Sequence, residues 1–110
     1  IQSYADGAFR ISHVVFNGPV AVYPGRTEPW AAPRRAEDLN ADHFRNLDAE
    51  IILVGCGASA GGVGFDLRLT LKDRGQQVEF MDTGAACRTY NVLMSEGRDV
   101  VALLMLVVDQ

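Results

Sequence analysis

Two long apolar runs most constrain the fold of this chain. Residues 50–55 and 100–108 are almost continuously apolar, which is typical of strands that are covered on both faces. Between them the pattern predicts a helix over 65–74, a short strand at 78–81 and a second helix over 83–97. The order strand, helix, strand, helix, strand indicates helices packed on a largely parallel sheet. We therefore predict a layered α/β domain.

Each predicted helix carries an apolar face. Leu67 and Leu71 lie on one side of the first helix, which is expected to end near Gly75. Thr83 is predicted to cap the second helix. Three side chains at helical spacing in that helix are expected to face the sheet, namely Ala86, Tyr90 and Leu93. The opposite side, expected to face solvent or a pocket, carries Arg88, Asn91 and Ser95.

The first part of the chain predicts β structure. Phe9 and Ile11 alternate with polar neighbours, as in a strand with one buried face. Asn17-Gly18 is a strong signal for a two-residue turn. We therefore predict an N-terminal β-hairpin that turns at this dipeptide and returns along residues 19–23.

The segment that follows predicts little regular structure. Residues 24–35 contain three prolines and are expected to form an irregular loop anchored by Trp30. A short helix is then predicted, with Asn40 as its cap. Leu39 and Phe44 are spaced to pack on each other across the start of that helix.

Length and charge narrow the class of protein. We expect one domain over residues 1–110, since this length suffices for one core and is marginal for two. The net charge of −4 and the pI near 5.0 disfavour a nucleic-acid partner, because duplex-binding domains present a basic face. Arg26, Arg34 and Arg35 form a local exception, and such side chains are usually solvated.

The cysteine and apolar content favour an intracellular protein. Cys56 and Cys87 lie 31 positions apart, which suggests neither a disulfide framework nor a zinc pair. The longest apolar run, nine residues, is about half of what a membrane-spanning helix needs, and no signal peptide is recognisable. His13 and His43 show no ligand spacing, so no metal is expected. No cofactor is predicted either. The expected location is the cytoplasm, with the mitochondrial matrix as the alternative.

The tetrapeptide Asp82-Thr83-Gly84-Ala85 matches the active-site motif of retroviral-type aspartic proteases, and Gly97-Arg98-Asp99 resembles a second protease segment. Such an enzyme needs two carboxylates about 3 Å apart, held by β-loops of a symmetric dimer. Here the motif opens a strongly helical segment. Because a short motif outside its structural context is weak evidence, we predict that Asp82-Thr83 instead ends a strand and begins a helix.

A second motif, Gly55-Cys56-Gly57-Ala58-Ser59-Ala60, fits the dinucleotide-binding fingerprint G-x-G-x-x-A. In that fingerprint the third small residue already belongs to the helix whose N-terminus faces the pyrophosphate. Gly61, Gly62 and Gly64 follow here and would break such a helix at once. A flexible loop over 56–64 is therefore favoured over a nucleotide site.

The two cysteines raise the hypothesis of a thiol site. Cys87 is predicted to lie in the first turn of a helix beside Arg88, where the pKa of a thiol is lowered. Cys56 follows the end of another strand. If the two strands are parallel neighbours, both sulfurs lie at the carboxyl edge of the sheet, where α/β proteins bind ligands. The alternative is that both thiols only fill the core.

The run from 81 to 98 identifies a family. Its residues are Met81-Asp82-Thr83, then Ala85 to Leu93, and Ser95 to Arg98. This run resembles the signature of the Mth-type domain family of unknown biochemical activity, whose eukaryotic members include a mitochondrial complex I assembly factor. The resemblance implies a compact three-layer α/β fold with a mixed central sheet, no established enzymatic activity, and a role in assembling respiratory complex I. The chain departs from the family at 57–64, which is unusually rich in glycine.

Two functions are therefore considered. The first is a non-catalytic protein-interaction or assembly domain, with an unidentified protein or a further copy of this chain as its partner. The alternative is a small-molecule-binding domain or thiol enzyme with a pocket at the carboxyl ends of the strands. The residues assigned to that pocket are Gly55, Cys56, Gly57, Asp82, Thr83, Cys87, Arg88, Asn91 and Arg98.

Overall fold

The computed structural model describes Ile1, Tyr4 and residues 8–107 of the chain. Among these residues there are seven strands, two α-helices and two 3₁₀ turns. The strands are β1 (Phe9–Ile11), β2 (Val14–Phe16), β3 (Val20–Val22), β4 (Thr27–Pro29), β5 (Ile51–Gly55), β6 (Val78–Met81) and β7 (Val100–Leu104). The helices are α1 (Phe65–Asp73) and α2 (Thr83–Ser95), and the 3₁₀ turns are Ala36–Asp38 and Ala41–Phe44.

The central sheet has five strands in the order β4-β3-β7-β5-β6. Strands β7, β5 and β6 are parallel, while β3 runs antiparallel to both β7 and β4. Every residue of β5 and β7 is buried, as predicted from their apolar runs. Strands β1 and β2 form a separate two-stranded antiparallel sheet. The predicted α/β class with a mixed sheet and an N-terminal hairpin is confirmed.

Alternate residues of the strands point into two different cores. Ile51 and Leu53 pack with α2 and β1, whereas Ile52 and Val54 pack with α1 and the second 3₁₀ turn. Strand β7 alternates in the same way, because successive side chains of a strand point to opposite faces. The sheet is thus the middle of three layers. We call its two sides the α2 face and the α1 face.

The position of the hairpin turn was predicted wrongly. The hairpin joins β1 to β2 through Ser12 and His13, both with positive φ (50° and 67°). The favoured turn signal, Asn17-Gly18, instead links this hairpin to β3. Strand β3 pairs with β7 and β4 rather than with the first strand. Its three residues are buried, and burial in the main sheet outweighs the local turn preference.

The predicted loop 24–35 contains a strand, β4, at the edge of the main sheet. Pro29 ends this strand, and an edge position tolerates proline because no ladder hydrogen bond is required on its outer side. Trp30 follows, and its ring packs edge-on against His43 and Phe44 at centroid distances of 6.4 and 6.5 Å. Trp30 is therefore an anchor, as expected.

The short helix predicted after this loop is a 3₁₀ turn. Asn40 caps it, because its Oδ1 accepts a hydrogen bond from the N–H of Asp42 at 2.9 Å. The ring nitrogen Nδ1 of His43 accepts a hydrogen bond from the N–H of Asn40 at 3.0 Å. Leu39 and Phe44 are both buried in the α1 face, so the predicted apolar pair lies in the core.

Helix α2 confirms the predicted faces but has a different cap. Ala86 and Tyr90 are buried in the α2 face, and Leu93 is half-buried against it. The exposed side carries Arg88, Asn91 and Ser95. Asp82, not Thr83, is the N-cap, since its Oδ1 accepts a hydrogen bond from the N–H of Ala85 at 2.9 Å. Strand β7 ends at Leu104, short of the predicted end, and Val108 lies outside the described residues.

Candidate functional site

Three parallel strands end at the same edge of the sheet. Gly55, the last residue of β5, lies beside Met81 of β6 and Leu104 of β7. The loops that leave these strands begin with Cys56, Asp82 and Met105, so they meet at this carboxyl edge. This edge is where ligands bind in many α/β proteins, and it is where the sequence predicted a pocket.

The hydroxyl of Thr83 ties the three loops together. The side chain is fully buried. Its Oγ1 donates a hydrogen bond to the carbonyl of Met105 at 2.7 Å and accepts one from the N–H of Gly57 at 2.8 Å. The N–H of Thr83 donates to the carbonyl of Gly57 at 2.8 Å. We call this arrangement the Thr83 latch. In this arrangement the hydroxyl already acts as donor and as acceptor within the protein.

The glycines at this edge have structural reasons to be there. A Cβ at Gly55 would lie 2.9 Å from the Cα of Thr83 and 3.1 Å from a methyl carbon of Leu104. Helix α2 can approach the sheet this closely only because Gly55 has no side chain. Gly57 has φ +78°, which favours glycine because a Cβ is strained in that region. The match to a dinucleotide fingerprint therefore arises from packing and turn geometry.

A small pocket of about 240 Å³ opens beside the latch. Its walls include Cys56, Gly57 and Ser59 from the glycine-rich loop, and Arg34 and Arg35 from the segment before the first 3₁₀ turn. Arg35 forms an ion pair with Glu37 at 2.9 Å. Sequence reasoning did not place the two arginines here, because they precede Cys56 by about twenty positions. The arginine pair in a proline-rich loop was their only signal.

The structure brings together five of the nine residues predicted for the pocket, namely Gly55, Cys56, Gly57, Asp82 and Thr83. The carboxylate of Asp82 is engaged as a helix cap, where it accepts a hydrogen bond from the N–H of Ala85. The protease motif thus lies at a strand-to-helix junction, as the helical pattern predicted.

The other four predicted residues lie elsewhere. Cys87 is buried in the α2 face, whereas Cys56 belongs to the α1 face, so the sheet separates the two thiols. Arg88 Nη1 lies near Gly84 on α2. Asn91 lies farther along α2, where its amide accepts from and donates to the backbone of Ile1 at 3.0 and 3.1 Å.

Arg98 lies at the opposite edge of the sheet. It precedes β7 and forms an ion pair at 2.7 Å with Glu50, which precedes β5. The 13 residues of α2 separate it from the Thr83 latch, a helix of roughly 20 Å. It cannot contribute to an anion site with Cys56 or Asp82.

Burial makes both thiols poor nucleophiles. Loss of hydration raises the pKa of Cys56 and the pKa of Cys87 from near 9 to about 11. For Cys56 the smaller opposing effects are a backbone hydrogen bond and the charge of Arg68. For Cys87, the charges of the amine of Ile1 and of Arg88 lower the pKa but do not overcome the effect of burial. Since only the thiolate reacts, the reactive fraction of both groups at neutral pH is very small.

We expect iodoacetamide to leave Cys56 and Cys87 unmodified at neutral pH in the folded protein and to modify both in urea. Each folded-state pKa is above its unfolded value. The contribution of the two protonated thiols to the free energy of unfolding is therefore fully present below pH 9 and is lost as the pH rises towards 11. Mass spectrometry and melting curves across this range check both statements. Rapid labelling of native Cys87 would contradict them and would revive the thiol hypothesis.

A larger cleft, which the sequence did not predict, lies on the α2 face. It has a volume of about 520 Å³ and lies between the β1–β2 hairpin, the turn joining β3 to β4, and the second half of α2. We call it the hairpin cleft. Its lining residues include Ile11 and Phe16 of the hairpin, Tyr23 and Arg26 of the turn, and Tyr90 of α2. These elements are far apart in sequence, so only the tertiary fold creates the cleft.

The described part of the chain holds neither a three-ligand metal cluster nor a membrane-crossing helix. Within residues 8–107, together with Ile1 and Tyr4, no group of three or more His, Cys, Asp or Glu side chains is arranged to hold a metal ion. Among the same residues, no helix is long and apolar enough to cross a membrane.

Comparison with known proteins assigns the family. A family model described as a protein of unknown function (DUF498/DUF598) matches residues 1–105. The chain belongs to this family. A crystal structure of a Bordetella parapertussis protein is similar, with a TM-score of 0.84 and 35% identity, covering 96% of this chain and 93% of that one. A solution structure from Bordetella pertussis, described as a Mth938-like domain, has a TM-score of 0.80 at 30% identity and covers 100% and 87%.

Two curated relatives extend the comparison. An uncharacterised protein of Rhodobacter capsulatus is 34% identical and covers 96% of this chain and 82% of its own length. NADH dehydrogenase [ubiquinone] 1 alpha subcomplex assembly factor 3 of Danio rerio is 32% identical and covers 96% of this chain. The chain spans 63% of that assembly factor. The resemblance to the Mth-type family and its assembly-factor members is thus confirmed.

Proposed function

We propose that the protein is a non-catalytic domain that binds a protein partner and acts in the assembly of a respiratory NADH dehydrogenase. The proposal rests on similarity to a relative that is named as an assembly factor, which extends over 96% of this chain. Thiol chemistry is not part of the proposal, because both thiols are buried and have a raised pKa.

The β1–β2 hairpin offers a surface for such a partner. Val14 and Val15 are 53% and 55% exposed although they are adjacent in a strand. Since adjacent side chains of a strand point to opposite sides, the hairpin presents an apolar group on each side. Burying the exposed half of one such side chain contributes about 1 kcal/mol. We call this surface the β2 surface.

The backbone of β2 adds to the same surface. Strand β2 pairs with β1, and the two form a sheet of two strands. One edge of β2 therefore lacks a neighbouring strand among the described elements. An exposed edge strand with apolar side chains is a site where another chain can add a strand. We assign the partner contact to this edge.

Charge and compartment complete the proposal. With a net charge of −4, the chain is not suited to a phosphate backbone, and the partner is proposed to be a protein. The expected location is the cytoplasm of a bacterial cell, or the mitochondrial matrix if the source is eukaryotic. Self-association through the same β2 edge remains an alternative partner contact.

Deletion of the gene in its own organism tests the proposal. We expect the amount of fully assembled NADH dehydrogenase on native gels to fall, together with NADH:ubiquinone oxidoreductase activity in membranes. Succinate dehydrogenase in the same membranes serves as the control and is expected to be unchanged. Re-expression of the wild-type chain is expected to restore the complex. Normal assembly in the deletion strain would refute the proposed function.

A further inference from the structure

The hairpin cleft has the size and lining of a small-molecule site. Its volume of about 520 Å³ falls within the range of roughly 300–1,000 Å³ that is usual for ligand pockets. Ile11, Val22 and Tyr90 line it and are almost fully buried. Phe16 and Met94 also line it and are half-buried against the same core. The floor of the cleft is therefore apolar, while its exposed surface as a whole is divided about equally between polar and apolar atoms.

The described lining of the cleft has one charged side chain, while the backbone amine of Ile1 also lies in its wall. Among the described lining residues, Arg26 is the one charged side chain, and it lies on the turn at the rim. Its guanidinium lies 4.1 Å from the centre of the Tyr23 ring, and this cation–π contact holds it in place. A positive group beside an apolar floor complements a molecule with an aliphatic chain and one negative head group.

The carboxylate now paired with Arg26 is weakly held. The Glu28 Oε2 lies 3.4 Å from Arg26 Nε, and both side chains are about half exposed or more. Such a surface pair contributes little. It also leaves the other nitrogen atoms of the guanidinium free of any described ion pair, and a guanidinium can bind a carboxylate through two parallel hydrogen bonds.

We infer that the hairpin cleft binds an aliphatic monocarboxylate, with its chain on the floor formed by Ile11, Val22 and Tyr90 and its carboxylate on Arg26. The Tyr90 phenol is neutral at physiological pH, since burial raises its pKa, and it does not repel the anion.

The two proposals share strand β2, since Val14 and Phe16 also line the cleft, but Val15 belongs to the β2 surface and not to the cleft. A Val15 variant and an Arg26 variant therefore test them separately.

Titration of ¹⁵N-labelled protein with octanoate, 1-octanol and octylammonium tests the inference. The three probes share a chain length and differ in head-group charge. Octanoate is expected to bind most tightly and to shift amide signals of 11–16, 22–27 and 90–94, the segments that line the cleft. Octylammonium is expected to bind most weakly. Equal affinities, shifts that map elsewhere, or no binding of octanoate would each overturn the inference.

Charge variants sharpen the test. Arg26→Gln is expected to weaken octanoate binding about fivefold and to leave 1-octanol unaffected, since a solvent-exposed ion pair has a limited effect. Glu28→Gln removes the competing carboxylate and is expected to tighten octanoate binding. Arg45→Gln is the matched control, because Arg45 is similarly exposed and also paired with an acid, but lies away from the cleft. An Arg26→Gln variant that binds octanoate as the wild type does would contradict the assigned head-group contact.

Discussion

Replacing Thr83 by Val is expected to lower the free energy of unfolding by about 2–5 kcal/mol. Valine keeps the shape of the side chain but removes the hydroxyl that bonds the Met105 carbonyl and the Gly57 N–H. Each buried group left without a partner costs about 1–3 kcal/mol. Urea unfolding monitored by circular dichroism measures the change.

Thr83→Ser is the matched control for this experiment. Serine keeps the hydroxyl and loses one methyl group, so a loss of about 1 kcal/mol is expected. If Thr83→Val costs no more than Thr83→Ser, the two hydrogen bonds of the hydroxyl contribute little to the free energy of unfolding. The Thr83 latch would then not be what holds the three loops together.

Gly55→Ala is the second large effect, with an expected loss of about 3 kcal/mol in the free energy of unfolding. The added Cβ would lie 2.9 Å from the Cα of Thr83, and backbone cannot move aside as a side-chain end can. Forcing α2 away from the sheet disturbs the buried packing, and such overpacking costs about 1–3 kcal/mol or more.

Gly18→Ala provides the comparison for Gly55→Ala. A Cβ at Gly18 meets nothing within 4 Å, so this variant is expected to unfold within about 0.5 kcal/mol of the wild type. Equal stability of the two alanine variants would show that α2 can shift outward at little cost. The close approach of α2 to β5 would then not depend on Gly55.

The second half of the fold could be predicted because its signals are local. The apolar runs of β5 and β7 identify strands covered on both faces, and the intervening periodicity identifies α1 and α2. The first half depends on which strand pairs with which. Asn17-Gly18 carries the better turn signal, yet β3 pairs with β7, which lies about eighty positions later. The free energy gained by burying β3 against so distant a strand is not visible in a short window of sequence.

The positions of the candidate site residues could likewise be predicted where the signal is local, and not where it depends on distant segments. Asp82 and Thr83 could be placed at a strand-to-helix junction because the helical pattern starts directly after them. Arg98 could not be placed, since its edge of the sheet depends on the length of α2 and on its pairing with Glu50. The position of Arg34 beside Cys56 and the existence of the hairpin cleft were not predicted, because each brings together segments that are distant in sequence. The reactivity of the two thiols could not be predicted either, because their pKa values depend on burial, which the sequence does not show.

The most direct measurement for the proposed function is the level of assembled NADH dehydrogenase in the deletion strain carrying single variants. Val15→Glu places a charge on the β2 surface without changing a residue that lines the hairpin cleft. Val92→Glu is the matched control, because Val92 is 57% exposed and Val15 is 55% exposed, and Val92 lies on α2. With equal expression of both, we predict that Val92→Glu restores the complex and Val15→Glu does not. Full restoration by Val15→Glu would contradict the account.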